Sequence, residues 1–187
     1  MSGVDRERWQ AAWAERAARE LSPAAWVVAQ AERLPGRGSA LDWAGGDGRH
    51  ALWLAARGLA VTLADIAENA LATARARAAA RGLAIECIAL DLERDPPPAG
   101  PFDLILCHHY LDRELPVRVL PLLADGGLLL WVQPTRRNLE RHEHPSERFL
   151  LDPGEMARLL AAYDVVTLEE RWGDEGRHEA RAIVRRR

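Results

Sequence analysis

The sequence predicts an α/β fold built on a mostly parallel sheet, and three observations lead there. From Ser39 onward the pattern strand, loop, helix recurs, apolar runs of strand length alternating with longer helical stretches. One junction is written twice, as Ala56-Arg57-Gly58-Leu59-Ala60-Val61 and as Ala80-Arg81-Gly82-Leu83-Ala84-Ile85. Each reads as a helix stop, a glycine able to turn left-handed, and the start of a buried strand. Two such crossovers in succession make the strands parallel. Finally, Phe102 to Cys107 reads as an apolar strand of the kind covered on both faces.

The elements follow in order. Asp5 to Leu21 is helical in pattern, with Trp9, Trp13, Ala17 and Leu21 on one stripe, and Ser22-Pro23 opens a second helix through about Leu34. Strands are expected at Ser39–Trp43, Ala60–Ala64 and Ala84–Leu90, and helices at Arg49–Arg57 and Ala67–Arg81. The proline-rich stretch Asp95 to Pro101 is a loop. After the Phe102 strand come a helix from about Asp112 to Leu123, a turn at Asp125-Gly126-Gly127 and the strand Leu128–Gln133. Gln133 to Leu151 is polar and unpatterned, a candidate active-site loop. A short helix opens at Asp152-Pro153-Gly154-Glu155 and runs to Ala161, and Tyr163–Trp172 with Arg177–Val184 forms a closing hairpin. Nothing after residue 38 reads as a domain boundary. The expectation is one domain, residues 1–187, with a helical arm (1–38) and an α/β core (39–187).

Among 187 residues there are 25 basic and 28 acidic groups, a net charge of -3, and every basic residue is arginine. Chemistries that require a lysine amine are thereby excluded: pyridoxal and Schiff-base catalysis, and the P-loop. None of the serines sits in a nucleophile elbow. No apolar run approaches the roughly 20 residues of a membrane span. The charged start, Met1 to Arg8, lacks the apolar core of a signal peptide. With Cys87 and Cys107 in apolar surroundings, a cytoplasmic protein is expected. The acidic balance argues against a broad nucleic-acid surface.

Chemistry concentrates at the first strand-to-helix turn, Leu41-Asp42-Trp43-Ala44-Gly45-Gly46-Asp47-Gly48-Arg49-His50. Ligands of open parallel sheets bind beyond the carboxyl ends of the strands, near such a turn. Small residues let the backbone approach a ligand, and the following helix aims free N–H groups at an anion. Gly46 to Ala51 satisfies the dinucleotide pattern G-x-G-x-x-A. Against that, the carboxylates of Asp42 and Asp47 would repel a pyrophosphate and attract an ammonium. S-adenosylmethionine has an ammonium, a carboxylate and no phosphate. Asp65 ends the second strand, where it can accept from both ribose hydroxyls, and Asp91 follows the third, where it can accept from an adenine amino group.

These residues resemble a known family. Ala40 to Ala51 is similar to motif I of the class I S-adenosylmethionine-dependent methyltransferases, and Val61 to Ile66 to their second motif. Ala89-Leu90-Asp91-Leu92 and Phe102 to Leu106 resemble the third and fourth, and Asp125 to Leu130 the turn before strand five. The run Gly48 to Ala55, with Arg8-Trp9 and Phe149 to Glu155, resembles the tellurite-resistance and thiopurine methyltransferase-like branch. The resemblance implies a Rossmann-like sheet of seven strands with a C-terminal antiparallel hairpin and helices on both faces. It places Asp42, Gly46 and Gly48 around the methionine part of S-adenosylmethionine, with Ala44, Gly45 and Arg49 also among the cofactor-binding residues. Asp65 and Ile66 fall at the ribose, Asp91 and Leu92 at the adenine, and Cys107 and His108 beneath the sulfonium. The first motif glycine is Ala44 here, His50 replaces the usual asparagine, and Gln133 replaces an acidic residue common at the end of strand five.

Candidates to act on a substrate follow strand four: His108, His109 and Tyr110 as catalytic groups, then Arg113. Trp9 and Trp13 either bury the arm or form a lid over a small substrate, and Gln133 and Arg136 lie where they could touch it. His142 and His144 lack a second ligand pair, so no metal is expected. The sequence reading is an enzyme methylating a small molecule, as monomer or homodimer. A non-catalytic cofactor-binding module and an RNA methyltransferase are the alternatives.

Overall fold

The structure is a computed structural model that describes Ala11, Trp13, residues 22–173 and residues 175–187. Seven strands form one sheet in the order β3-β2-β1-β4-β5-β7-β6. They are β1 (Gly38–Trp43), β2 (Leu59–Asp65), β3 (Ile85–Ala89), β4 (Phe102–His108), β5 (Leu123–Pro134), β6 (Asp164–Trp172) and β7 (His178–Arg185). The first five are parallel, whereas β7 runs antiparallel between β5 and β6. The chain winds outward from β1 to β3 and then returns to β4 on the other side of β1. The strand order therefore reverses between β1 and β4, and a crevice opens at their carboxyl ends. There Asp42 is in register with Leu106 and Trp43 with Cys107.

Alternation along β4 divides the core. Leu104 and Leu106 face one cluster, with Leu54, Leu63 and Leu71, while Ile105 and Cys107 face the other, with Trp131, Leu115 and Met156. The first cluster is covered by α1 (Ala25–Ala29), α2 (Arg49–Ala56) and α3 (Glu68–Ala80), the second by α4 (Leu115–Val119) and α5 (Glu155–Leu159). Helices on both faces match the expected class. Each fully buried leucine contributes roughly 1.5–3 kcal/mol.

Two helices are shorter than expected. The helix expected to Leu123 is only α4 followed by a 3-10 turn, Leu120–Leu122, because Pro121 has no N–H to donate into the ladder. The helix expected over residues 22–34 reduces to α1 and a 3-10 turn, Ala31–Arg33, and its N-cap is Ala24 rather than Ser22. β5 begins earlier than expected, at Leu123, and takes in Asp125-Gly126-Gly127 through a register shift against β4. Gly126 has φ +77°, which only glycine takes without strain. The first expected helix, residues 5–21, lies outside the described residues apart from Ala11 and Trp13, both helical.

Residues after Gln133 are better anchored than their pattern suggests. Two 3-10 turns, Arg136–Glu140 and Glu147–Phe149, are closed at the base by a parallel bridge between Thr135 and Leu151. Asn138 is buried and donates to the Thr135 carbonyl at 3.1 Å, and Thr135 Oγ1 meets His178 Nδ1 at 2.7 Å. These polar contacts carry no hydrophobic periodicity, which is why the segment reads as loop.

Candidate active site

The turn from β1 into α2 is held by backbone. Ala44 and Gly45 donate to the Ala64 carbonyl at 2.9 and 3.3 Å, tying the glycine loop to the end of β2. Gly46 and Gly48 have φ +57° and +80°, and a Cβ on Gly46 would run into the Trp13 ring. A side chain at Gly45 would strike Leu63 and the Asp42 carboxylate. Ala44 keeps the positive φ of its loop position, 60°, without being glycine.

Three carboxylates end three neighbouring strands around this loop. Asp42 is fully buried, and its Oδ2 accepts from Ala51 N at 3.0 Å while Oδ1 has no hydrogen-bond partner among the described residues. Burial pushes its carboxyl up to about 7, against the opposing pull of the Ala51 N–H and Arg49. Asp65 Oδ2 accepts from Gly46 N at 2.8 Å and Oδ1 from Ala67 N at 2.9 Å, and burial raises this carboxyl too. Asp91 Oδ1 accepts from Glu93 N at 3.1 Å. Ile66 and Leu92 are buried beside them. Asp47, by contrast, is ion-paired with Arg77 of α3, so the loop's negative charge rests on Asp42 rather than on both residues.

On the other side of the crevice a row of imidazoles crosses the sheet end. The ring centroids of His50 and His108 lie 4.7 Å apart, those of His108 and His109 3.8 Å apart. Burial, then the neighbouring positive groups, drives His50 and His108 well below the ordinary imidazole value, and burial lowers His109 against the upward pull of Glu179. The rings are therefore neutral near pH 7, and their partners set the tautomers. Ala24 N donates to His50 Nε2 at 3.2 Å, leaving the ring proton on Nδ1. Arg49 Nη2 has only protons to give, so His108 Nδ1 accepts at 3.2 Å and Nε2 carries the proton. His109 Nε2 faces the Glu179 carboxylate at 2.6 Å and donates to it. Its Nδ1 lone pair makes no hydrogen bond among the described residues. His109 alone of the three thus offers a free basic nitrogen. It also has φ 61°, and with Ala44 it makes up the non-glycine residues of positive φ among the described residues.

Behind His109, Glu179 Oε2 accepts from Arg181 Nε at 2.9 Å, and Arg181 reaches Glu169 of β6 at 3.4 Å. Glu179 and Arg181 are 4% and 5% exposed. Burial pushes the Glu179 carboxyl up, but His109 and Arg181 outweigh it and the net shift is down. Sequence reading missed this pair. Its signal is two opposite charges at alternate positions of an otherwise apolar strand, on one face of β7.

Residues 40–127 match the model of a methyltransferase domain. The protein matches TehB from Haemophilus influenzae with a TM-score of 0.73 and 20% identity over 88% of this chain and 63% of that one, so the chain spans less than two thirds of TehB. An S-adenosylmethionine-dependent methyltransferase from Mesorhizobium loti matches with a TM-score of 0.68 and 20% identity, over 87% of this chain and 98% of that one. The [4+2]-cyclase SpnF also matches, with a TM-score of 0.71 and 16% identity over 86% and 80% of the two chains. No curated protein matches the chain in sequence. The fold is that of the class I S-adenosylmethionine-dependent methyltransferases.

The other expected site residues sort plainly. Cys107 is buried in the core, its thiol pushed well up by burial, and donates weakly to the Tyr110 carbonyl. The Tyr110 hydroxyl is buried without a partner among the described residues and raised far above its usual value by burial, which leaves it a donor rather than a base. Arg113 pairs with Glu155, and Arg136 with Glu147 and Asp152. Gln133 is buried and donates to the Phe149 carbonyl at 2.7 Å. These three side chains secure residues 133–155. Trp13 lies against Gly46, over the loop, whereas Trp9 is outside the described residues. His142 caps the Gly176 carbonyl at 2.7 Å.

Proposed function

We propose that this chain transfers a methyl group from S-adenosylmethionine to a small-molecule acceptor. The observation carrying the reading is the line Asp42, Asp65, Asp91 at three neighbouring strand ends around a glycine loop without room for side chains. The residues fit that group: the Oδ1 of Asp42, buried and without a partner among the described residues, calls for a cation such as an ammonium, and Arg77, which reaches the loop, is held there by Asp47. Asp42, Gly46 and Gly48, with Ala44, Gly45 and Arg49 beside them, would hold the methionine part, Asp65 and Ile66 the ribose, and Asp91 and Leu92 the adenine. Carboxylate oxygens that already accept one N–H keep lone pairs for hydroxyls.

When bound, the sulfonium supplies an electrophilic methyl group. The chain's own part is to align the acceptor, exclude water and remove a proton where the acceptor starts protonated. His109 Nδ1 does the last, His108 Nε2–H donates, and the Trp13 indole covers the loop. Two free thiols, Cys87 and Cys107, support a cytoplasmic setting, and no described helix is long and apolar enough to cross a membrane. Calorimetry is expected to show binding of S-adenosylmethionine and of its demethylated product, and none of NAD. Binding of NAD alone would overturn the reading.

A cofactor-binding module working without methyl transfer is the second reading, because a cyclase shares the fold at a TM-score of 0.71. Tight cofactor binding together with inertness toward thiols, phenols and amines would select it.

A further inference from the structure

We propose that Glu179, braced by Arg181, is a positioning residue that makes His109 a base, and that the methyl acceptor arrives as a neutral, weakly acidic O–H or S–H compound. The proposal rests on the reading above that the acceptor sits beside His109. Three observations carry it. The Glu179 carboxylate fixes the His109 proton on Nε2 at 2.6 Å, which turns the free Nδ1 lone pair outward. Arg181 holds the other carboxylate oxygen at 2.9 Å and is itself paired with Glu169, so Glu179 cannot swing away. His109 keeps a positive φ of 61°, a conformation that costs a residue with a Cβ, while its N–H donates to the Val132 carbonyl at 2.8 Å.

The proton count is simple. The acceptor's proton passes to Nδ1, the ring becomes imidazolium between the acceptor and Glu179, and the acceptor's lone pair is free to form the bond to carbon. The new positive charge lies against a buried carboxylate. The positive charges of Arg49 and Arg177 act on the His109 ring, and those of Arg49 and Arg181 on the neighbouring His108 ring, so an acceptor that loses a proton leaves its negative charge near guanidinium groups. An amine acceptor would gain positive charge there instead.

The same atoms present a second possibility. Ligand atoms of His108, His109 and Glu179 lie within 4.8 Å of one another, a spacing a metal could draw together. Arg49 on His108 and Arg181 on Glu179 oppose it, since each already occupies the lone pairs a cation would need and adds positive charge.

The test uses the whole chain and the variants Glu179→Gln, Glu179→Asp and Glu179→Gln/Arg181→Met. The double variant keeps the site free of unpaired charge should Glu179→Gln alone fold poorly. Nitrogen-15 imidazole NMR of the protein without cofactor should show His109 as the Nε2–H tautomer. Its titration midpoint should fall by about one unit in Glu179→Gln and the double variant and recover in Glu179→Asp. With acceptors of graded acidity, kcat should fall roughly 10²–10⁴-fold for those protonated at the assay pH, with little change in KM and little loss for those already ionised. An unchanged midpoint, an Nδ1–H tautomer, or equal losses for both acceptor classes overturns the proposal. So does stoichiometric zinc binding to the wild type that Glu179→Gln abolishes. Failure of S-adenosylmethionine to bind would sink the functional reading and leave the NMR result standing.

Discussion

The two halves of the crevice are held together by different means. On the cofactor side the groups are met by backbone N–H within 19 residues: Asp42 by Ala51, Asp65 by Gly46 and Ala67, Asp91 by Glu93. On the acceptor side, side chains meet side chains from distant elements, Arg49 with His108 across 59 residues and His109 with Glu179 across 70. A backbone donor is deleted by substitution to proline alone, whereas most substitutions delete a side-chain partner. In the reading proposed above, the first half holds the cofactor and the second acts on the acceptor, so point changes in the partners should be felt more in the second.

The comparison can be broken in four places. The largest effect is expected from Arg181→Met, which leaves the buried Glu179 carboxylate with the neutral His109 as its hydrogen-bond partner. Urea unfolding should register a loss of about 3–5 kcal/mol, mostly restored by adding Glu179→Gln. A loss under about 1 kcal/mol would put the acceptor side on the same footing as the backbone-held side. Asp42→Asn comes next. It should weaken S-adenosylmethionine binding about 10- to 100-fold in calorimetry, the worth of one charge-assisted hydrogen bond, while the unliganded variant is more stable than wild type at pH 8 because no buried carboxyl needs to ionise. Unaltered affinity would mean that the ammonium sits elsewhere.

A smaller effect comes from pH. Without ligand the Asp42 carboxyl is held up to about 7, by burial first and by Asp65 and Asp47 after it, with Arg49 opposing. A cation at Oδ1 favours the charged form, so binding expels a proton below that midpoint. Affinity should fall by up to about tenfold between pH 7 and pH 6 and level off above pH 7. An affinity that rises as pH falls would contradict the assignment. Least of all is expected from Ala44→Gly: relief of the φ 60° strain offsets the added freedom of the unfolded chain, and thermal unfolding should move by less than about 1 kcal/mol.

Legibility in the sequence tracked the range of the forces involved. The doubled helix-stop junction gave β2 and β3 to within a residue or two, because a left-handed glycine and a buried strand start are local properties. Pro116 and Pro121 were visible in the sequence, yet the apolar residues around them still read as one continuous helix. The segment after Gln133 read as loop because Asn138, Thr135 and His178 hold it through polar contacts, which leave no hydrophobic period. Glu179 and Arg181 went unread for a related reason. A charged pair in a strand looks exposed until the neighbouring strands are known to cover it.

By itself the sequence determined the class of fold, the glycine loop and the carboxylates at the strand ends. Each follows from backbone conformations and burial patterns encoded within one βα unit. Only the tertiary structure decided that Asp47 is neutralised by Arg77, that Arg113 and Arg136 serve to fasten residues 133–155, and that His109 is the imidazole with a free lone pair. Those outcomes depend on which charge lies against which in a low-dielectric interior. That pairing is fixed by strand order, above all by β7 running antiparallel beside β5.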